Sequence, residues 1–155
     1  MKRKIYYLLL APLSLLAITG CLKTNTTHNN VILPVGTFAG TFTRIHYSLQ
    51  TGKLDTIKAN IILTMAAATG YAVSGDTTHH AASHGGYSVD GQNIAFYDQT
   101  LPQVGTVVNP PIPVKTHLNG VYQYSYSTPA GSAGSSLQII FTGDTVAYSY
   151  ILAGQ

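Results

Sequence analysis

From residue 37 onward, apolar and polar positions alternate with a period of two, the pattern of strands that bury one face. Residues 54–66 show it most plainly. Ile57, Ala59, Ile61, Leu63 and Met65 share one face there, and Lys58, Asn60 and Thr64 take the other. In the preceding segment, 37–49, Phe38, Gly40 and Phe42 lie on one face, then Ile45, Tyr47 and Leu49 on the opposite one. That switch predicts a bulge or sharp bend between Phe42 and Ile45. Thr51-Gly52-Lys53 supplies the turn between the two segments. Met65-Ala66-Ala67-Ala68 reads as the end of the strand or, alternatively, as a turn of helix.

Further strand signals follow at short intervals. Gly70 opens a third strand, 71–74, and a loop with three histidines spans 76–86. Residues 87–89 and 94–97 form a hairpin over Asp90-Gly91-Gln92-Asn93. Residues 98–116 carry Pro102, Pro110, Pro111 and Pro113, which bar a central strand. The sixth strand, 117–127, aligns Leu118, Gly120, Tyr122, Tyr124 and Tyr126 on one face. A Gly/Ser-rich loop, 127–136, precedes a last hairpin with Leu137, Ile139 and Phe141 on one arm and Val146, Tyr148, Tyr150 and Leu152 on the other. Gly143-Asp144 between the arms suits a type II′ turn.

Composition agrees with an all-β chain. Glutamate is absent, charged residues make up 8%, and eleven tyrosines stand among many threonines, serines and isoleucines. Eight strands in sequential hairpin order predict an antiparallel up-and-down barrel, since closure removes exposed edges. Such a barrel holds either packed side chains or one small ligand. An immunoglobulin-like sandwich is the rival, disfavoured by the sequential order. The stretches 36–42, 85–91 and 118–122 resemble those of small lipocalin-like barrels of bacterial, especially Bacteroidota, lipoproteins. That resemblance implies a barrel over about residues 36–155 and a binding role, and it brings no catalytic motif. The tryptophan that lipocalins carry by their first-strand glycine is missing, and Phe38 or Phe42 takes its place.

The amino terminus has a different character. Lys2, Arg3 and Lys4 precede an apolar run, 5–18, interrupted by Tyr6, Tyr7, Pro12 and Ser14. A basic start and a short apolar core make a secretory signal, too short to span a bilayer well. Ile18-Thr19-Gly20-Cys21 resembles the lipobox of bacterial lipoproteins. The resemblance implies removal of residues 1–20, acyl chains such as palmitate on Cys21, and membrane attachment through that anchor. Residues 21–35 then form a polar tether. Leu22 follows the cysteine in place of an inner-membrane aspartate, which by analogy implies the outer membrane. No acidic run follows Cys21, so a periplasmic-facing position is favoured over the cell surface.

The signal also changes the charge balance. The whole chain carries a formal charge of +3. Beyond residue 20, Lys23, Arg44, Lys53, Lys58 and Lys115 balance Asp55, Asp76, Asp90, Asp98 and Asp144. Net charge is then zero, which excludes a basic nucleic-acid surface. Cys21 is the only cysteine, so no intramolecular disulfide forms.

Candidate chemistry is sparse. Phe38, Phe42, Tyr122, Tyr124 and Tyr148 are candidate ligand-lining residues, because aromatic rings with a polar handle suit a small apolar or amphipathic ligand. A packed core reads the same residues equally well. In that case the protein works through its outer face or loops. His79, His80 and His84 are candidate metal ligands; a metal needs three or four donors converging at about 2 Å. The alternative is a polar loop tip. His46 and His117 read as wall residues with hydrogen-bond partners. No enzyme is expected: Gly131-Ser132-Ala133-Gly134 lacks the serine-elbow setting, and no aspartate pair stands out. No cofactor is implied, and a protein partner is left unspecified.

Overall fold

The computed structural model describes residues 31–101, 115–129 and 134–155. Eight antiparallel strands close into one barrel in sequence order. They are β1 (Gly36–Ser48), β2 (Lys53–Ala66), β3 (Gly70–Gly75), β4 (His84–Asp90), β5 (Asn93–Asp98), β6 (Gly120–Ser127), β7 (Ser136–Thr142) and β8 (Val146–Gly154). Closure comes from β1 pairing β8, from Phe38 opposite Gly154 to His46 opposite Val146. The up-and-down barrel expected from the strand pattern is therefore the fold. Signal, Cys21 and most of the tether lie outside the described residues.

The period-two pattern produces the core directly. Phe38, Phe42, Ile61, Leu63, Ile94, Phe96, Leu137, Ile139, Tyr150 and Leu152 all point inward and are buried. Burying each large apolar side chain contributes roughly 1.5–3 kcal/mol. Gly40 occupies an inward position where β1 crosses β8 closely. A Cβ there would collide with the Ile151 carbonyl oxygen, so only glycine permits the approach.

Several local expectations are corrected. No bulge interrupts β1, whose register with β2 is continuous from Gly36 opposite Met65 to Ser48 opposite Lys53. Ile45 and Tyr47 stay on the outward face and are exposed. The β1–β2 hairpin outruns β3, which joins β2 only from Ile61 opposite Gly75 onward. The apparent switch of face thus falls where β2 has lost β3 as a neighbour, while β1 stays paired to β8 as far as His46. β2 ends at Ala66 in a turn, without helix. β4 begins at His84, and β6 begins at Gly120, with Leu118 buried ahead of it outside the sheet. Gly91 takes the positive φ (57°) that the first position of a type II′ hairpin turn needs. Gly143 does not adopt positive φ, so the last hairpin is not type II′. Its turn instead presents the Thr145 carbonyl to the Tyr47 amide at 2.8 Å, tying it to β1.

The two ends of the barrel differ. Residues 31–35 enter at one end, where the Tyr87 hydroxyl donates to the Pro34 carbonyl at 2.7 Å and the chain terminus also returns. The turns after β2, β4 and β6 share this end. The opposite end carries the β1–β2 and β7–β8 turns, residues 76–83 after β3, and residues 99–101 and 115–119 between β5 and β6.

Candidate functional site

The far end is closed by side chains rather than by wall. β3 and β4 pair only at Tyr71 opposite Gly85 and Ala72 opposite His84, so the wall is thinnest there. Into that region fold residues 76–83 and 115–119, joined as a short parallel bridge between His80 and Thr116. The Ala81 amide donates to the Thr116 carbonyl at 2.8 Å, and the Thr116 amide to the His79 carbonyl at 3.0 Å. Leu118 is fully buried and drives this plug into the barrel as an apolar stopper.

Buried polar contacts then anchor the plug to the wall. The Tyr71 hydroxyl donates to the Leu118 carbonyl at 2.5 Å, and the Tyr122 hydroxyl to the Asn119 carbonyl at 3.0 Å. His117 Nδ1 donates to Asp98 Oδ2 at 2.7 Å, with the Asp98 side chain fully buried. Asp98 also accepts from the amide and hydroxyl of Thr100. Burial pushes the Asp98 carboxyl up, but the Thr100 and His117 hydrogen bonds outweigh it and hold it below the ordinary aspartate value.

His80 is the deepest polar side chain of the plug, only 1% exposed. Its Nδ1 lies 2.8 Å from the Ala81 carbonyl and its Nε2 3.0 Å from the Tyr150 hydroxyl. A carbonyl only accepts, so Nδ1 carries the proton and Nε2 accepts from Tyr150. The ring meets Phe42 edgewise at 4.7 Å between centroids. Burial lowers the His80 pKa, the Ala81 carbonyl opposes that shift, His117 adds to it, and Asp98 opposes it.

The aromatic candidates form a connected interior. Phe42 lies 4.9 Å from Tyr150, and Tyr122 meets Phe96 and Phe141, each at 5.9 Å. Phe38 meets Tyr126 edgewise at 6.0 Å near the tether end. Tyr148 stacks on Phe141 at 5.6 Å, half-buried at the far mouth, while Tyr124 is half-buried against the core. Burial, partly offset by the Asn119 carbonyl, raises Tyr122 to about 12. Burial raises Tyr150 well above the ordinary value as well, with Tyr122 and Tyr148 adding to the shift. Among the described residues, these rings occupy the interior themselves.

The histidine candidates are not brought together. His80 points inward, whereas His79 and His84 are exposed, His84 on the outer face of β4. Among the described residues, no three His, Cys, Asp or Glu side chains gather as a metal would require. His46 is exposed near the end of β1, and His117 has the partner expected of it, Asp98, although it precedes β6 rather than lying on it. Sequence reading left the anchoring roles of Tyr71, Asp98, Asn119 and Tyr150 unassigned. Only the Asp98–Thr100 spacing, typical of a local side-chain turn, signalled any of them.

Among the described residues, two buried polar atoms lack a partner, Arg44 Nε and Ser83 Oγ. Arg44 points inward beside Tyr148 on β8, with a guanidinium nitrogen 3.9 Å from the Asp55 carboxylate. No family model, curated protein or solved structure matches this chain.

Proposed function

We propose that this chain is a non-enzymatic, lipid-anchored envelope protein whose barrel is a filled scaffold acting through its surface and loops. The observation that carries this reading is the interior itself, where rings from β1, β5, β6, β7 and β8 touch one another in one cluster. A second feature points to the working surface. The β1–β2 hairpin projects from the far end and exposes Leu49 (78%) and Leu54 (70%). The anchor rests on the likeness of residues 1–21 to a lipoprotein signal, with Cys21 acylated and residues 21–35 as tether. Entry of the tether at the other end leaves the plug and hairpin facing away from the membrane. An outer-membrane, periplasmic-facing position is part of the same proposal.

Photo-crosslinking in intact cells tests it. A crosslinking residue at Leu49 or His79 is expected to trap a protein partner, whereas one at Asp90 or Ser127, near the tether, is expected to trap none. Capture of a small apolar molecule from inside the barrel, through a crosslinker at Tyr124, would favour a ligand carrier instead.

A further inference from the structure

We infer that the plug formed by residues 76–83 and 115–119 is an acid-released latch: a second proton on His80 ends its hold on Tyr150 and frees the far mouth. The inference needs no assumption about anchor or partner. It does imply that the loop surface away from the tether exists in two states set by pH.

The geometry supplies the argument. Neutral His80 satisfies both ring nitrogens, one on the Ala81 carbonyl and one on the Tyr150 hydroxyl. Protonation of Nε2 removes the acceptor that Tyr150 uses. Turning the hydroxyl around restores a contact but leaves a cation buried against Phe42 and Tyr150, away from water. The charged groups that bear on His80 are Asp98, at the end of β5, and His117, in the second plug segment. Asp98 is already engaged by His117 and Thr100. β8 presents Tyr150, neighboured by Tyr71 of β3, Tyr122 of β6 and Tyr148. β1 presents Phe42, and its next inward residue, Arg44, is cationic. Within the plug's own first segment, Asp76 and His79 are exposed.

The His117 contact differs from that of His80. Its Nδ1 donates to Asp98 in either charge state, so protonation preserves that bond. Local opening is also less costly than unfolding. Two backbone hydrogen bonds join the plug segments, whereas continuous ladders hold the strands. The closed state binds fewer protons than the open one, in which His80 regains its ordinary value near 6.5. Closure is therefore fully favoured above about pH 6.5 and weakens by up to about tenfold per pH unit below it.

Hydrogen exchange on the full chain in detergent micelles, corrected for intrinsic rates, tests the latch between about pH 7.5 and 4.5. The Val73, Ala81 and Thr116 amides are expected to lose protection up to about tenfold per unit below about pH 6.5, while β1 and β2 amides hold theirs. His80→Gln, which keeps an acceptor for Tyr150 but does not titrate, is expected to flatten that response, and His117→Gln to retain it. Unchanged plug protection in the native chain, or a His80→Gln curve that follows the native one, would overturn the latch. Should His80→Gln fail to fold, the native His80 imidazole is titrated by NMR. A midpoint below about 6.5 supports the inference, and one at or above it refutes it.

Discussion

Tyr71 shows how much rests on a single hydroxyl in this molecule. It reaches from β3 to the Leu118 carbonyl, a group buried in the plug. Tyr71→Phe keeps the ring against Phe96 and leaves that carbonyl unpaired. An orphaned buried acceptor costs about 1–3 kcal/mol, so the variant should unfold at correspondingly lower denaturant, with an unchanged m value. Gly40 is the opposite case, a residue whose importance lies in what it lacks. Gly40→Ala puts a methyl against the β8 backbone, and the strain is expected to cost about 1–3 kcal/mol or more in the same measurement. A loss smaller than about 0.5 kcal/mol would mean that β1 and β8 separate easily.

Among the elements, the strands and the plug differ in how they are encoded. A strand states its buried face within its own residues: β2 inserts Ala59, Ile61, Leu63 and Met65 at alternate positions, and nothing distant is needed to read them. The plug has no such period. His80 is buried because Tyr150 lies opposite, 70 residues along the chain, and a loop of threonines and histidines carries no local mark of that. For the same reason, β6 was expected to begin at His117. Leu118 fits the alternation of the tyrosines after it, but it is buried as a stopper, not as part of the sheet. The β1–β2 hairpin misleads differently. Ile45, Tyr47 and Leu54 have the hydrophobicity of core residues, yet they lie where the hairpin projects past β3. Leu49→Ser with Leu54→Ser is expected to leave stability within about 0.5 kcal/mol while abolishing crosslinking from the far end. A large loss of stability would instead assign these residues to packing.

At the scale of the whole molecule, the barrel is a shell around neutral tyrosines. Tyr71, Tyr122 and Tyr150 all have pKa values raised chiefly by burial. Each is an acid that keeps its proton longer when folded, so its contribution is complete below about pH 10 and declines as pH rises above that value. Together they should steepen the loss of stability above about pH 10 to as much as three protons per molecule, visible as a falling thermal midpoint. Tyrosine absorbance should show this subset ionising only as the barrel unfolds. Ionisation of every tyrosine near pH 10 in a barrel that remains folded would contradict the buried assignment.

A filled interior is what separates a scaffold from a carrier, and mass decides between them. The protein would be purified from its native cells in mild detergent and weighed intact, first under native and then under denaturing conditions. Equal masses, corresponding to the polypeptide with its covalent modifications alone, are the predicted result. A native mass exceeding the denatured one by a discrete small molecule, lost together with the fold, would contradict it.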